Sequence, residues 1–377
     1  MAILRVNATR DGALVALPGS TGRSAHAHST PDEPWTIALD RALAGLLPGA
    51  TVVVLVHGYR FTWARRRRGD APFCPQTRLY STDPETPVQG VWPRAANWPA
   101  QLGFTAEGRG TQGLCIAFGW DARRPALHSI LRHGRHDFGE VFDAARLAGG
   151  ALAQVLARIA THRPDLAPSF LTHSLGARVA LSAMESAPSL RLGRAVLLGA
   201  AEFAETAAAI LDAQERAGGH AEIYHVLSRA NDVFDALFGL LAPRTATPAR
   251  RVSLGVAGLG LRGGHRRWVD MQLDHDATAR FLAARGMRLE RLGETISHWH
   301  FYTDPGAMAA WRAILRGEPG WNLAALREAG LDCLAEARWS RLIPRLPRPT
   351  LGADLPPSTG SGAASLDDDG LQSSQGA

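Results

Sequence analysis

Ser169-Phe170-Leu171-Thr172-His173-Ser174-Leu175-Gly176-Ala177-Arg178-Val179-Ala180 is the stretch on which the reading of the fold turns. An apolar run gives way to small residues and then to helical spacing. It reads as a buried strand, a sharp corner and a helix, with Ser174 at the corner. A corner of this kind lifts the hydroxyl clear of the sheet. It also aims the first N–H groups of the helix at the point where an oxyanion would develop. Tightness demands small residues: Gly176 comes two positions after the serine, and Ala177 lets the helix lie close to the sheet. The G-x-S-x-G pattern has a further glycine two positions before the serine, and Thr172 stands in that place.

Outward from this corner, apolar β-branched runs alternate with helical patterns. Residues 51–56, 113–119, 169–173, 195–199, 222–228 and 266–271 predict strands, and 142–162, 177–186, 204–217 and 307–315 predict helices. Continuous apolar strands imply burial on both faces, so the expected fold class is α/β, with a mostly parallel central sheet and helices on both sides. Residues 2–17 predict an antiparallel hairpin at the sheet edge, with Asp11-Gly12 as its turn. Two segments break the alternation: 60–113, polar and proline-containing, and 123–140, rich in histidine. Both read as lid or rim insertions. Residues 1–343 are expected to form one domain, and 344–377, rich in Pro, Gly, Ser and Asp, a largely disordered tail.

A serine hydroxyl needs a base to take its proton, and the base needs a third group to fix its tautomer. After the strand at 222–228, Asp232 sits where the chain leaves the sheet and is the expected acid, with Asp235 as the alternative. In Ile296-Ser297-His298-Trp299-His300-Phe301-Tyr302-Thr303-Asp304-Pro305 the expected base is His298, with His300 as its competitor. An oxyanion hole needs two N–H groups. His57-Gly58-Tyr59 follows the strand at 51–56, and the amides of Tyr59 and Leu175 are the expected pair, with His57 in a structural role.

At these residues the chain resembles the α/β-hydrolase superfamily, in which the triad follows in the order Ser, Asp, His. It is most similar to a bacterial branch of uncharacterised serine hydrolases that carry HGY, a tryptophan at the end of the next strand, and HS-[ML]-G-x-R-V. Here these are His57-Gly58-Tyr59, Trp120 in Phe118-Gly119-Trp120-Asp121, and His173-Ser174-Leu175-Gly176-Ala177-Arg178-Val179. The resemblance spans residues 51–315 and implies an α/β-hydrolase fold and the catalytic roles, without a substrate.

Composition narrows the alternatives. The chain has 377 residues, 46% of them hydrophobic, which suits a globular protein with a sizeable core. The charge of +6 invites a nucleic-acid reading. Yet all 41 Lys and Arg residues are arginine, mostly scattered on helical patterns, and no nucleic-acid partner is expected. Arg65-Arg66-Arg67-Arg68 reads as a solvated loop or an anion-attracting lip. Without lysine, Walker A phosphate binding, a pyridoxal Schiff base and kinase chemistry drop out.

Gly258-Leu259-Gly260-Leu261-Arg262-Gly263 matches G-x-G-x-x-G, but a strand pattern follows where a dinucleotide site needs a helix, so it reads as a connector. His128, His133 and His136 lack a partnering carboxylate pattern, and no metal or organic cofactor is expected. Three widely spaced cysteines and no signal-peptide or membrane-span pattern suggest a cytoplasmic protein without stable membrane insertion. The expected function is a serine hydrolase that cleaves small-molecule carboxylic esters or thioesters through an acyl-enzyme. A non-catalytic hydrolase-like binding protein and an acyltransferase are the alternatives. The oligomeric state is open.

Overall fold

The computed structural model describes residues 2–17, 34–63, 73–81, 96–104, 112–123, 127–243, 252–259, 264–290, 294–332 and 336–343. Arg65 to Arg68, Cys333 and the expected tail lie outside them, as do the side chains of His128, His133 and His136. Residues up to Leu342 form one compact unit.

Its centre is an eight-stranded sheet of β1 (Ala2–Ala8), β2 (Leu14–Leu17), β3 (Thr51–Val56), β4 (Gly113–Gly119), β5 (Ser169–His173), β6 (Arg191–Leu198), β7 (His220–Leu227) and β8 (Trp268–Gln272), in the order β2-β1-β4-β3-β5-β6-β7-β8. Every neighbouring pair is parallel except β1 and β2, the expected edge hairpin. The α/β class with a mostly parallel sheet is therefore observed. From β3 the chain crosses to β4 on one side and later returns to β5 on the other. The C-terminal ends of β3 and β5 thus flank a topological switch point, where open α/β sheets leave a crevice.

Strand residues alternate between two cores, as a period of two requires. Val52, Val54 and Val56 point into one and Val53 and Leu55 into the other, and Leu114, Ile116 and Phe118 oppose Cys115 and Ala117 in the same way. The first core is covered by α1 (Trp35–Ala44), α4 (Leu127–His162), α5 (Leu175–Ser186) and α6 (Ala204–Arg216), with α2 (Pro75–Arg78) and α3 (Trp98–Gln101) preceding α4 in the chain. Beyond them come α7 (Asp232–Leu241), α8 (Leu254–Ala257), α9 (Asp276–Ala283), α10 (His300–Thr303), α11 (Pro305–Arg316) and α12 (Leu323–Glu328). The second core is built chiefly from α3, α9, α11 and α12. Cys74 and Cys115 are buried free thiols. Among the described residues no helix is long and apolar enough to cross a membrane.

Two expectations change here. Residues 127–162 form one 36-residue helix, where a lid or rim insertion at 123–140 followed by a separate helix at 142–162 was expected. The described parts of the 60–113 insertion are core as well as loop, because Leu79, Tyr80, Trp98, Leu102 and Phe104 are all buried in the second core. The Tyr80 hydroxyl donates to the carbonyls of Leu55 (3.2 Å) and Phe118 (3.1 Å), tying the insertion to β3 and β4. Trp98 packs edge-on against Tyr80 and Tyr302. A lid could be trimmed without unfolding the domain, whereas Trp98→Ala is expected to destabilise it by about 3–5 kcal/mol, read as a lower urea midpoint. An unchanged midpoint would return this segment to the rim.

Candidate active site

Ser174 has φ 56° and ψ −126°, a left-handed-side conformation that costs a non-glycine residue on the order of 1–3 kcal/mol. Three hydrogen bonds hold it there. Its N–H donates to Leu198 O at the end of β6 (2.9 Å), and its carbonyl accepts from Ala177 N (3.0 Å) and Ala201 N (3.1 Å). Leu175 follows as the first residue of α5, where a helix has no internal acceptor for its N–H.

Close approach explains the glycines. A Cβ on Gly58 would lie 2.7 Å from Ser174 Cβ and 2.8 Å from His173 O, so the loop after β3 lies directly against the serine. A Cβ on Gly176 would overlap Val56 O and reach 2.7 Å from His57 O. Thr172, in place of the other pattern glycine, is buried in β5 and paired in register with Val56 and Leu197, so no turn falls there to require glycine. His57 holds the loop in shape: its Nε2 accepts from Trp120 N (3.1 Å), its Nδ1 donates to Gly58 O (2.9 Å), and its ring stacks on Trp120. Burial lowers its pKa to about 3, so it is neutral.

His298 arrives on the loop before α10 and is held from several sides. Ser297 N donates to Ala230 O (2.9 Å), and His173 Nε2 donates to His298 O (2.7 Å). The His298 ring stacks on Phe234, with centroids 4.5 Å apart, and lies 4.4 Å from the His173 ring. Its Nδ1 is 2.6 Å from Oδ1 of Asn231. Burial, with His173 and His300 acting in the same direction, lowers the His298 pKa well below 6.5. His300 is also buried, with its pKa lowered to about 4 mainly by burial, but it packs on Phe301 and is not among the residues lining the cavity described below.

The expected acid, Asp232, is therefore corrected to Asn231 as the partner of the histidine. A turn at Arg229–Asn231 follows β7, fastened by Asp274, whose carboxylate accepts from Arg229 N (3.1 Å) and Ala230 N (3.2 Å). α7 then starts at Asp232, and one helical residue rotates the side chain by about 100°. Asp232 is turned to another part of the chain: it accepts from Trp339 N (2.6 Å) and pairs with Arg229 (3.3 Å) and Arg338 (3.8 Å). Asp235, one turn after Asn231, returns to the same face, and its Oδ1 accepts from Asn231 Nδ2 at 3.0 Å. Sequence reasoning missed Asn231 because it sought an ionisable group. The signal that points to it is its place as the last residue before a helix start.

These elements enclose a cavity of about 440 Å³ lined by Ser174, His298, Tyr59, Leu175 and Asp235 together with Phe61, Phe138, Phe234, Leu237, Phe238, Leu241, Trp299 and Tyr302. The expected nucleophile, base and both oxyanion donors thus share one largely apolar chamber at the switch point. The described residues contain no group of three or more His, Cys, Asp or Glu side chains placed to hold a metal ion. In the G-x-G-x-x-G stretch, residues 260–263 lie outside the described residues, and Leu259 N donates to Asp270 Oδ2 on β8 (2.9 Å). No protein-family model matches the sequence, and no curated protein matches it significantly. Gly176→Ala is expected to cost about 1–3 kcal/mol in a urea titration, because the new methyl meets backbone that cannot rotate away. A wild-type midpoint would show that α5 can move off β3.

Proposed function

We propose that this chain is a serine hydrolase of the α/β-hydrolase type, cleaving carboxylic esters or thioesters with an apolar acyl group. The observation that carries the reading is the strained Ser174 corner facing the same cavity as a histidine whose Nδ1 is already engaged. With Nδ1–H held by Asn231, Nε2 is left to take the Ser174 proton as Oγ attacks the acyl carbon. The developing oxyanion is received by the N–H groups of Tyr59 and Leu175. The leaving alcohol or thiol is protonated by His298. Water, deprotonated by the same nitrogen, then releases the acid. The aromatic and leucine lining suits an apolar acyl chain.

A second reading, a non-catalytic hydrolase-like binding protein, draws on the neutral Asn231 at the place where an acid was expected. A fluorophosphonate probe separates the two. Wild type should be labelled and Ser174→Ala should not, and folded wild type that resists labelling would sink the hydrolase reading. His298→Ala should slow labelling by about 100- to 10,000-fold, the usual range for a lost general base, and His300→Ala should slow it far less.

Protonated His298 cannot act as a base, so activity should fall as pH drops through its pKa. Because burial holds that pKa well below 6.5, the acid limb of kcat/KM should also lie well below 6.5. Asn231→Asp sets a negative charge beside the ring, which favours the imidazolium and should move the limb upward by about 1–3 pH units. A limb that stays in place would show that residue 231 does not face the base.

A further inference from the structure

Asparagine is an ambiguous partner for histidine. Its amide can present oxygen to Nδ1–H or NH2 to a bare Nδ1, and only the first arrangement leaves the Nε2 lone pair free for a serine proton. A carboxylate has no such ambiguity. Two observations bear on how the choice is made. Asn231 Nδ2 donates to Asp235 Oδ1 at 3.0 Å, and Asn231 Oδ1 lies 2.6 Å from His298 Nδ1. Asp235 is buried, on the same helical face one turn further along.

We propose that Asp235 is a positioning residue for the reaction: by accepting from Asn231 Nδ2 it turns the Asn231 carbonyl toward His298 and selects the Nδ1–H tautomer. This rests on the reading of Ser174 and His298 as nucleophile and base. The Asp235 carboxyl offers oxygen to the amide, so the NH2 end of Asn231 faces it and the carbonyl end must face the ring. Arg229 and Arg338 act on Asp235 from the positive side and Asp232 from the negative. Burial outweighs them and raises its pKa to about 7. The role survives that titration with the proton on Oδ2, which makes no hydrogen bond among the described residues, because Oδ1 then remains a carbonyl oxygen that accepts from Nδ2. The acceptor, rather than the charge, is what Asp235 supplies.

That distinction sets the test. Asp235→Asn retains an oxygen acceptor without charge, whereas Asp235→Val, of similar size, retains neither. The readouts are the rate of fluorophosphonate labelling at Ser174 and the tautomer of the His298 ring by ¹⁵N NMR, assigned by loss of its signals in His298→Gln. Wild type should show Nδ1–H, and Asp235→Asn, which can turn either end of its amide to Asn231, should fall between wild type and Asp235→Val in both tautomer and labelling rate. Asp235→Val should shift toward Nε2–H and label at least about tenfold more slowly, as expected when a buried amide loses its partner. An Nε2–H tautomer in wild type, wild-type labelling in Asp235→Val, or equal impairment of both variants would each overturn the proposal. Should Asp235→Val not fold, the wild-type tautomer and the Asp235→Asn rate still decide it. Absence of labelling in wild type would instead remove the hydrolase reading, and the NMR measurement would still report on the tautomer.

Discussion

The backbone of Ser174 is the constraint around which the molecule is arranged. Its conformation is unfavourable by itself and persists because β6, the residues after it and the first turn of α5 grip both of its peptide groups, through Leu198 O, Ala201 N and Ala177 N. The grip requires β5 and β6 in register, which the pairing of His173 with Leu198 provides one residue before the corner. It also requires α5 to leave the sheet at once, and that is possible only because Gly176 lets the helix start against the carbonyls of Val56 and His57. A local strain is thus carried by the non-local order of β3, β5 and β6.

The opposite wall of the cavity depends on a second set of ties from the ends of β7 and β8. Asp274, just after β8, caps the turn that presents Asn231, and Ala230 in that turn accepts from Ser297. The His298 carbonyl is then taken by His173, the residue immediately before the strained serine. The two walls are therefore joined by a hydrogen bond between the neighbours of the candidate nucleophile and the backbone of the candidate base. Burial keeps His57 and His173 uncharged, with pKa values near 3, so both rings serve as fixed hydrogen-bonding spacers at neutral pH.

Much of the sheet was legible because parallel strands buried on both faces leave continuous apolar runs. The expected bounds of β3, β4 and β5 coincide with the observed strands. β6 and β7 begin earlier than expected, at Arg191 and His220, where polar residues at the strand entrances interrupt the apolar run. The insertion at 60–113 misled because its few large apolar residues are widely spaced, yet Trp98 and Phe104 each fill core volume under the sheet. Within the site, the local patterns around Ser174 and Gly58 carry their own geometry. Choosing among Asn231, Asp232 and Asp235 depends instead on where α7 begins, and a shift of one residue there rotates a different side chain toward the ring.

A neutral residue beside His298 suits the surroundings it has. An ionised Asp232 at that place would put a charge beside an apolar chamber lined by phenylalanines and would give up the direct pairing with Arg229 and Arg338 that it has where it now lies. Under the proposed mechanism the imidazolium that forms on His298 then has no adjacent carboxylate partner on Nδ1, and its nearest developing counter-charge is the oxyanion between Tyr59 and Leu175. The two charges appear together and vanish together, and the low polarity of the cavity strengthens their attraction in the transition state. Asn231 contributes orientation without holding a permanent charge in the resting site. Its own orientation rests in turn on Asp235, whose carboxyl is itself pushed toward neutrality by burial.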